Sequence, residues 1–120
     1  ILGYGTSVSD TTGSHNIIVG DGHTAESHSG IITGRDNTIS GPNAVVIGAV
    51  GCTADANGVA IGGLLNSVDG ANSAVIGGRD SAAQADESVI INGAHAQTWT
   101  EGQVIIGETD LPGSSDNAMR

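Results

Sequence analysis

The sequence predicts an all-β fold, a parallel β-solenoid or β-roll made of stacked repeats of 14 or 15 residues. The composition is the first indication, because 20 of the 120 residues are Gly and only 2% are aromatic. Gly supplies the positive φ angles of tight corners, and a core without aromatic rings must consist of small and aliphatic side chains. The second indication is that apolar residues stand in consecutive runs, without the spacing of an amphipathic helix. The third is a repeat that extends over nearly the whole chain, since units too short to enclose a core are stable only when stacked.

Each repeat begins with an apolar tetrad that we predict to be a β-strand followed by a turn. The tetrads end at positions 20, 34, 48, 62, 77, 92 and 107, so the successive spacings are 14, 14, 14, 15, 15 and 15 residues. Residues 1–3 fit as a truncated earlier copy. The sequence therefore predicts one repeat domain over residues 1–110, with about eight coils, and a cap or a transition to another segment over residues 111–120.

A second, shorter strand of small residues is predicted midway through each repeat. One recurring residue of this strand, which is Ala, Ile, Val or Thr, follows the end of the tetrad by five positions in the earlier repeats and by six in the later ones. These residues are Ala25, Ile39 and Thr53, followed by Val68, Ala83 and Thr98. The extra residue of the longer repeats is therefore expected between the tetrad and the second strand. Asn43, Asn57 and Asn72 mark the turn that leads to the next tetrad, since Asn tolerates positive φ.

The alternation of side chains along a strand assigns the tetrad residues to two faces. We predict that the first and third residues fill the interior of the coil: Ile17, Val19, Ile31, Val45, Ile47, Val59, Ile61, Ile76, Val89, Ile91, Val104 and Ile106. The second residue is apolar in every copy and then points outward: Ile18, Ile32, Val46, Ala60, Val75, Ile90 and Ile105. An unbroken apolar column on an outer wall is expected to be an interaction surface. Because parallel copies around a common axis close with cyclic symmetry, we predict a homotrimer with the second-residue column at its interface.

Three of the tetrads resemble a known motif. Residues 44–48 (AVVIG), 58–62 (GVAIG) and 73–77 (SAVIG) are similar to the S-V-A-I-G motif of YadA-like heads in trimeric autotransporter adhesins. The resemblance extends over residues 15–110 and implies a trimeric, left-handed parallel β-roll whose role is adhesion to a host surface. Similar repeats occur in segments of phage tail fibres and spikes.

The resemblance implies a non-enzymatic, extracellular segment with no cofactor. Its partners would be further copies of the chain in a homotrimer and a host-surface receptor, a matrix protein or a glycan. Its location would be the bacterial outer surface or, alternatively, a virion tail. A purely mechanical spacer is a further hypothesis. A trimeric solenoid enzyme is the least favoured class, because hexapeptide repeats give such enzymes about 18 residues per coil, which spacings of 14 and 15 residues do not match.

Charge and hydropathy exclude two classes of partner. The formal net charge is -10, and three Arg are the only cationic residues apart from His. The chain therefore lacks the basic surface that binds nucleic acids and anionic membranes. No apolar run approaches the roughly 18 residues of a membrane-spanning helix. We expect no nucleic-acid binding and no membrane contact by this segment.

Trp99 is the candidate ligand contact, because it replaces the small or acidic residues at the corresponding place in other repeats. The alternative is a structural role, in which the indole covers the end of the roll or packs under residues 111–113. His15, His23 and His28 could hold a metal ion across neighbouring coils, but they lack a ligand spacing, and no metal site is predicted. Cys52 is alone, so no disulfide can form within the chain. No Ser, His and Asp residues stand in the context of a catalytic motif.

Overall fold

The computed structural model describes residues 15–26 and 28–107, and it confirms the all-β, parallel β-solenoid. The chain winds through about six turns, and each turn contributes one strand to each of two parallel sheets. Sheet A contains β1 (Ile17–Asp21), β3 (Ile31–Arg35), β5 (Val45–Val50), β7 (Val59–Ile61), β9 (Ala74–Ile76), β11 (Val89–Ile91) and β13 (Val104–Ile106). Sheet B contains β2 (Thr24–Ala25), β4 (Thr38–Ile39), β6 (Thr53–Ala54), β8 (Ser67–Val68), β10 (Ala82–Ala83) and β12 (Gln97–Thr98). The predicted copy at residues 1–3 and the segment 111–120 lie outside the described residues.

Equivalent residues of successive turns form columns along the stack. We number the turns as coils one to six, each beginning with its strand of sheet A. The first corner of a coil leads from sheet A to sheet B, and the second corner leads back to the next coil. Ile17 lies opposite Ile31, 14 positions later, and Val59 lies opposite Ala74, 15 positions later. Because neighbouring parallel strands are about 4.8 Å apart, side chains of one column contact each other from coil to coil.

In the third coil, the inward residue of the second strand lies one position later than predicted. Sheet B pairs Ile39 with Ala54, and Ala54 is 0% exposed. The predicted equivalence of Thr53 with Ile39 is therefore wrong. The extra residue of the first corner is already present in this coil, where Gly48 has a φ of 65° and open space around it. The second corner of the same coil is one residue shorter. Since the two changes cancel, the spacing between tetrads does not reveal them.

The predicted assignment of the tetrad faces is also wrong, because the structure reverses it. The second residue of each tetrad lies inside the coil of a single chain and is at most 8% exposed. These residues, predicted at a trimer interface, are Ile18, Ile32, Val46, Ala60, Val75, Ile90 and Ile105. The residues predicted inside the coil instead point outward and are half-buried or exposed: Ile17, Val19, Ile31, Val45, Ile47, Val59, Ile61, Ile76, Val89, Ile91, Val104 and Ile106.

The reversal follows from the narrowness of the coil. Around Val46, the inward positions before and after it are occupied by Ala44 and Ala49, which are both 0% exposed. Val45 and Ile47 lie between these positions and therefore face outward. Sheet B contributes mostly Ala, Val and Thr to the same interior. The space between the sheets thus holds one large side chain per strand of sheet A, at its centre.

A column of buried side chains closes the first corners. We call it the polar ladder, and its residues, one per coil, are His23, Asn37, Cys52, Asn66, Ser81 and Ala96. In each of the first five, a side-chain atom accepts the backbone N–H of the ladder residue in the next coil, over 2.8 to 3.3 Å. A buried backbone N–H needs a partner. The ladder supplies these partners at the point where the chain leaves one sheet for the other.

Candidate interaction surface

The outer side of sheet A is aliphatic along the tetrads, whose two outward columns contain no charged residue. We call it the aliphatic face. Its columns are Ile17, Ile31, Val45, Val59, Ala74, Val89 and Val104, and Val19, Thr33, Ile47, Ile61, Ile76, Ile91 and Ile106. β-Branched residues favour strands, which explains their presence here. Strand propensity does not explain why these two columns, which are open to water, carry Thr33 as their only polar residue.

The second of these columns is open to solvent along the stack. Val19, Ile47, Ile61 and Ile76 are 38%, 40%, 39% and 39% exposed. Full burial of such a side chain stabilises by about 1.5–3 kcal/mol, so covering the remaining two-fifths contributes roughly 0.6–1.2 kcal/mol for each residue. Continuous exposed apolar surfaces mark interaction sites in soluble proteins. The aliphatic face is therefore the strongest candidate for such a site among the described residues.

The first corners extend the aliphatic face in the middle of the stack. Isolated bridges align their outward residues Val50, Leu64, Arg79 and Ala94. Leu64 and the next residue, Leu65, are 45% and 55% exposed. The same column carries Asp21 and Arg35 in the first two coils and Arg79 in the fifth, so this edge is apolar in coils three and four and charged in coils one, two and five.

The second corners form the other edge of the aliphatic face, and they contain the predicted Asn turns. Asn43, Asn57 and Asn72 have φ angles of 59°, 55° and 59°, as the prediction of a tight turn requires. The Asn43 Nδ2 donates to the Asn57 Oδ1 over 3.1 Å. In the fifth coil Glu87 takes the same position, with a φ of 57°. At this position the edge is therefore neutral in coils two to four and acidic in coil five, whereas Asp55 and Asp69 lie earlier in the second corners of coils three and four.

The outer side of sheet B is polar. Its two columns are Thr24, Thr38, Thr53, Ser67, Ala82 and Gln97, and Glu26, Ser40, Asp55, Asp69, Gln84 and Trp99. The hydroxyl oxygens of Thr53 and Ser67 lie 3.0 Å apart, and Ser67 donates to the Asp69 carboxylate over 2.7 Å. Side chains with hydroxyl and carboxylate groups are expected on a surface that stays in water. The outer side of sheet B therefore differs from the aliphatic face, which has the composition of a covered surface.

Trp99 lies on this polar side and is 59% exposed. The interior position of its strand is taken by Thr98, which is 0% exposed, so the indole does not fill the interior of the coil. Residues 111–113, under which the indole could pack, lie outside the described residues. The role of Trp99 as a ligand contact stays a prediction.

The three His residues of the first repeats are not brought together. His23 is buried in the polar ladder, with its Nε2 3.1 Å from the Val19 carbonyl oxygen, whereas His15 and His28 are exposed. Among residues 15–26 and 28–107, no three His, Cys, Asp or Glu side chains are placed to hold a metal ion. Burial raises the pKa of the Cys52 thiol, so the thiolate needed for nucleophilic chemistry is disfavoured.

The polar ladder was not predicted from the sequence. The signal for it is a residue with a hydrogen-bonding side chain directly before the second strand in five successive coils, from His23 to Ser81. This signal gave no prediction of burial, because polar residues in a short repeat are ordinarily assigned to solvent-exposed turns.

The described part of the chain contains no helix of the length and apolarity that a membrane span requires. Comparison of the chain with protein-family models, with curated protein sequences and with solved structures finds no match.

Proposed function

We propose that this chain is a segment of a non-enzymatic, trimeric fibre on a bacterial surface, where it presents a receptor-binding surface to a host. The aliphatic face is the observation that carries the proposal. A single chain fills its interior with the second residue of each tetrad and leaves two further apolar columns in water. Further copies of the same chain would cover those columns, and the resemblance to YadA-like heads supports a left-handed roll, a trimer and a role in adhesion.

Three parallel copies with their aliphatic faces toward a common axis would form a triangular core. The face is only two side chains wide, which suits a bundle where each chain contributes one wall. Columns such as that of Ile47, Ile61 and Ile76 would then meet their symmetry mates at every level. The interface proposed here uses the first and third tetrad residues, in place of the second-residue column predicted from the sequence.

The charges at the two edges of the face support a ring in which equivalent coils lie side by side. In a cyclic arrangement the first corner of one copy would lie beside a second corner of the next. In coil five this would place Arg79 within one coil rise of Asp86 and Glu87 of the neighbouring copy, and in coil four Leu64 near Ala71. Opposite charges in coil five and apolar contacts in coil four support this register, although Arg35 in coil two would face no acidic side chain in the second corner at its own level.

Sedimentation equilibrium tests the trimer. We expect the chain to sediment at three times its 11.8 kDa mass. The double variant Ile61→Asp, Ile76→Asp should sediment as a monomer that keeps the β-type circular dichroism of the wild type, because both side chains are 39% exposed in a single chain. Ser40→Asp, on the outer side of sheet B, is the control and should remain trimeric. A folded wild-type monomer would contradict the trimer.

Binding assays separate adhesion from a purely mechanical role. Beads coated with the trimer should adhere to host cells, to matrix proteins or to a glycan array more strongly than uncoated beads. A trimer that binds none of these would be a spacer. The repeats resemble phage tail fibres as well, and a fibre segment on a virion tail with the same trimeric architecture is the second candidate.

A further inference from the structure

The outer side of sheet B changes in character in coils five and six. Over the first four coils its two columns contain only Thr, Ser, Asp and Glu. In coils five and six the same positions carry Ala82, Gln84, Gln97 and Trp99. The chain contains one Trp, and all of its Gln residues lie within one coil of it, the third being Gln103. An aromatic ring and two amides thus lie at one end of a wall whose other side chains are mostly short and polar or acidic.

The register of sheet B places the two amides beside the indole. β10 pairs Ala82 with Gln97 and Ala83 with Thr98. Continuing this register by one residue sets Gln84 beside Trp99 of the neighbouring coil, with the two backbones about 4.8 Å apart. Gln97 precedes Trp99 by two residues and therefore lies on the same side of the strand. Ala82, below Gln97, has no side-chain atom beyond Cβ. The three side chains therefore share one end of the outer wall, next to a residue that adds only a methyl group.

The backbone that carries the indole is fixed from within the coil. The N–H groups of Trp99 and Thr100 donate to the Gln103 Oε1 over 2.7 and 3.3 Å. Gln103 is 3% exposed, so this anchor belongs to the interior. A large ring that is 59% exposed on an ordered backbone loses little conformational entropy when a ligand covers it.

We propose that Trp99, Gln84 and Gln97 form a binding site for a neutral pyranose sugar. The apolar side of a pyranose ring packs on an indole, and a primary amide can donate to one hydroxyl and accept from its neighbour. Asp69 lies one coil below Gln84 on the same face, and neither column contains Arg or Lys, so the site repels anionic sugars. This inference rests on the proposed function, because it names the kind of receptor that the outer wall of the fibre binds. Three copies per trimer would convert weak single contacts into stable attachment.

Intrinsic fluorescence tests the site directly, since Trp99 is the single Trp of the chain. We expect methyl glycosides of neutral hexoses to change the Trp emission of the full chain saturably, with a Kd on the order of 1–10 mM. N-acetylneuraminic acid and choline should leave the emission unchanged. Gln84→Ala and Gln97→Ala keep the indole and should each weaken binding about fivefold, the effect of one lost hydrogen bond. Ser40→Ala, on the same face three coils away from Gln84, is the matched control and should bind as the wild type does.

Three results would overturn the sugar site. The first is no response to any neutral hexose at about 0.1 M, well above the expected Kd. The second is a response to choline alone, which would indicate a site for cations. The third is emission from a solvent-shielded indole in the free chain, which would show that another part of the chain covers Trp99. The aliphatic face lies on the opposite sheet, so each of these outcomes leaves the sedimentation test of the trimer unaffected.

Discussion

Replacing Asn66 by Ala removes one side chain from the middle of the polar ladder. The Asn66 Oδ1 accepts the backbone N–H of Ser81 over 3.0 Å. Its Nδ2 donates to the carbonyl oxygens of Gly77 and Gly78 over 3.0 and 3.4 Å. Asn66 is 1% exposed, so Asn66→Ala leaves buried backbone groups without the partner that the amide supplied. We expect this loss to destabilise the coil much more than the loss of an exposed Asn.

The size of the effect follows from the groups that lose their partners. A buried donor left unsatisfied costs about 1–3 kcal/mol, and the lost bond to Gly77 costs about 1 kcal/mol more. We therefore expect Asn66→Ala to lower the free energy of unfolding by about 2–4 kcal/mol. Asn66→Ser should cost less, because Ser81 already performs this role one coil later. The Ser81 Oγ accepts the Ala96 N–H over 3.3 Å and donates to the Arg79 carbonyl oxygen over 3.1 Å.

Urea unfolding followed by circular dichroism, at one protein concentration for all variants, measures these differences. Asn72→Gly is the matched control, because Asn72 is exposed at a second corner with a φ of 59°, which Gly adopts without strain. Its free energy of unfolding should lie within about 0.5 kcal/mol of the wild type. Equal stabilities of Asn66→Ala and Asn72→Gly would refute the stabilising role of the ladder.

Three further predictions concern a glycine, the thiol and the edge of the aliphatic face. Gly34→Ala should lower the thermal midpoint more than Gly62→Ala, because a Cβ on Gly34 would meet the backbone of the next coil. Gly62 has open space around it, so Gly62→Ala should cost only the about 1–2 kcal/mol of a strained φ. The reverse order of the two midpoints in thermal melts would contradict the packing. Burial raises the pKa of Cys52 above its unfolded value, so its contribution to stability is full below about pH 8.5 and falls as the pH rises. Urea unfolding should show this fall in the wild type and a smaller one in Cys52→Ser, and identical pH profiles would exclude it. Arg79→Glu should raise the dissociation constant of the proposed trimer, and adding Glu87→Arg should lower it again; sedimentation in which the second change has no effect would argue against equivalent coils lying side by side.

The strands could be predicted from the sequence because each one is encoded locally. A run of β-branched residues ended by Gly or Asn marks the strands of sheet A. Asn at the same position of successive repeats marks the second corners. The third coil shows where local signals end. Gly48 lengthens its first corner, and the second corner shortens by the same amount, so the spacing between tetrads is unchanged. Only the pairing of Ala54 with strands on either side reveals which residue faces inward.

The faces of the tetrads could not be assigned by polarity, because both are apolar, but side-chain volume contains the answer. The second tetrad residue and the buried residue of the second strand vary in opposite senses. The fourth coil combines Ala60 with Val68, and the fifth combines Val75 with Ala83, all 0% exposed. A small residue on one sheet is matched by a larger one on the other, as residues that share one interior must be.

The second coil tests this complementarity, since it combines Ile32 with Ile39, both 0% exposed. The additional volume is accommodated by Gly30, where an added Cβ would contact the Ile39 Cδ1. No such compensation accompanies the third tetrad residue, which is Ile in five successive copies from position 47 to position 106. A coil that is already filled by complementary pairs has no room for a second Ile per strand. These Ile side chains therefore lie outside the coil, where the proposed trimer would bury them.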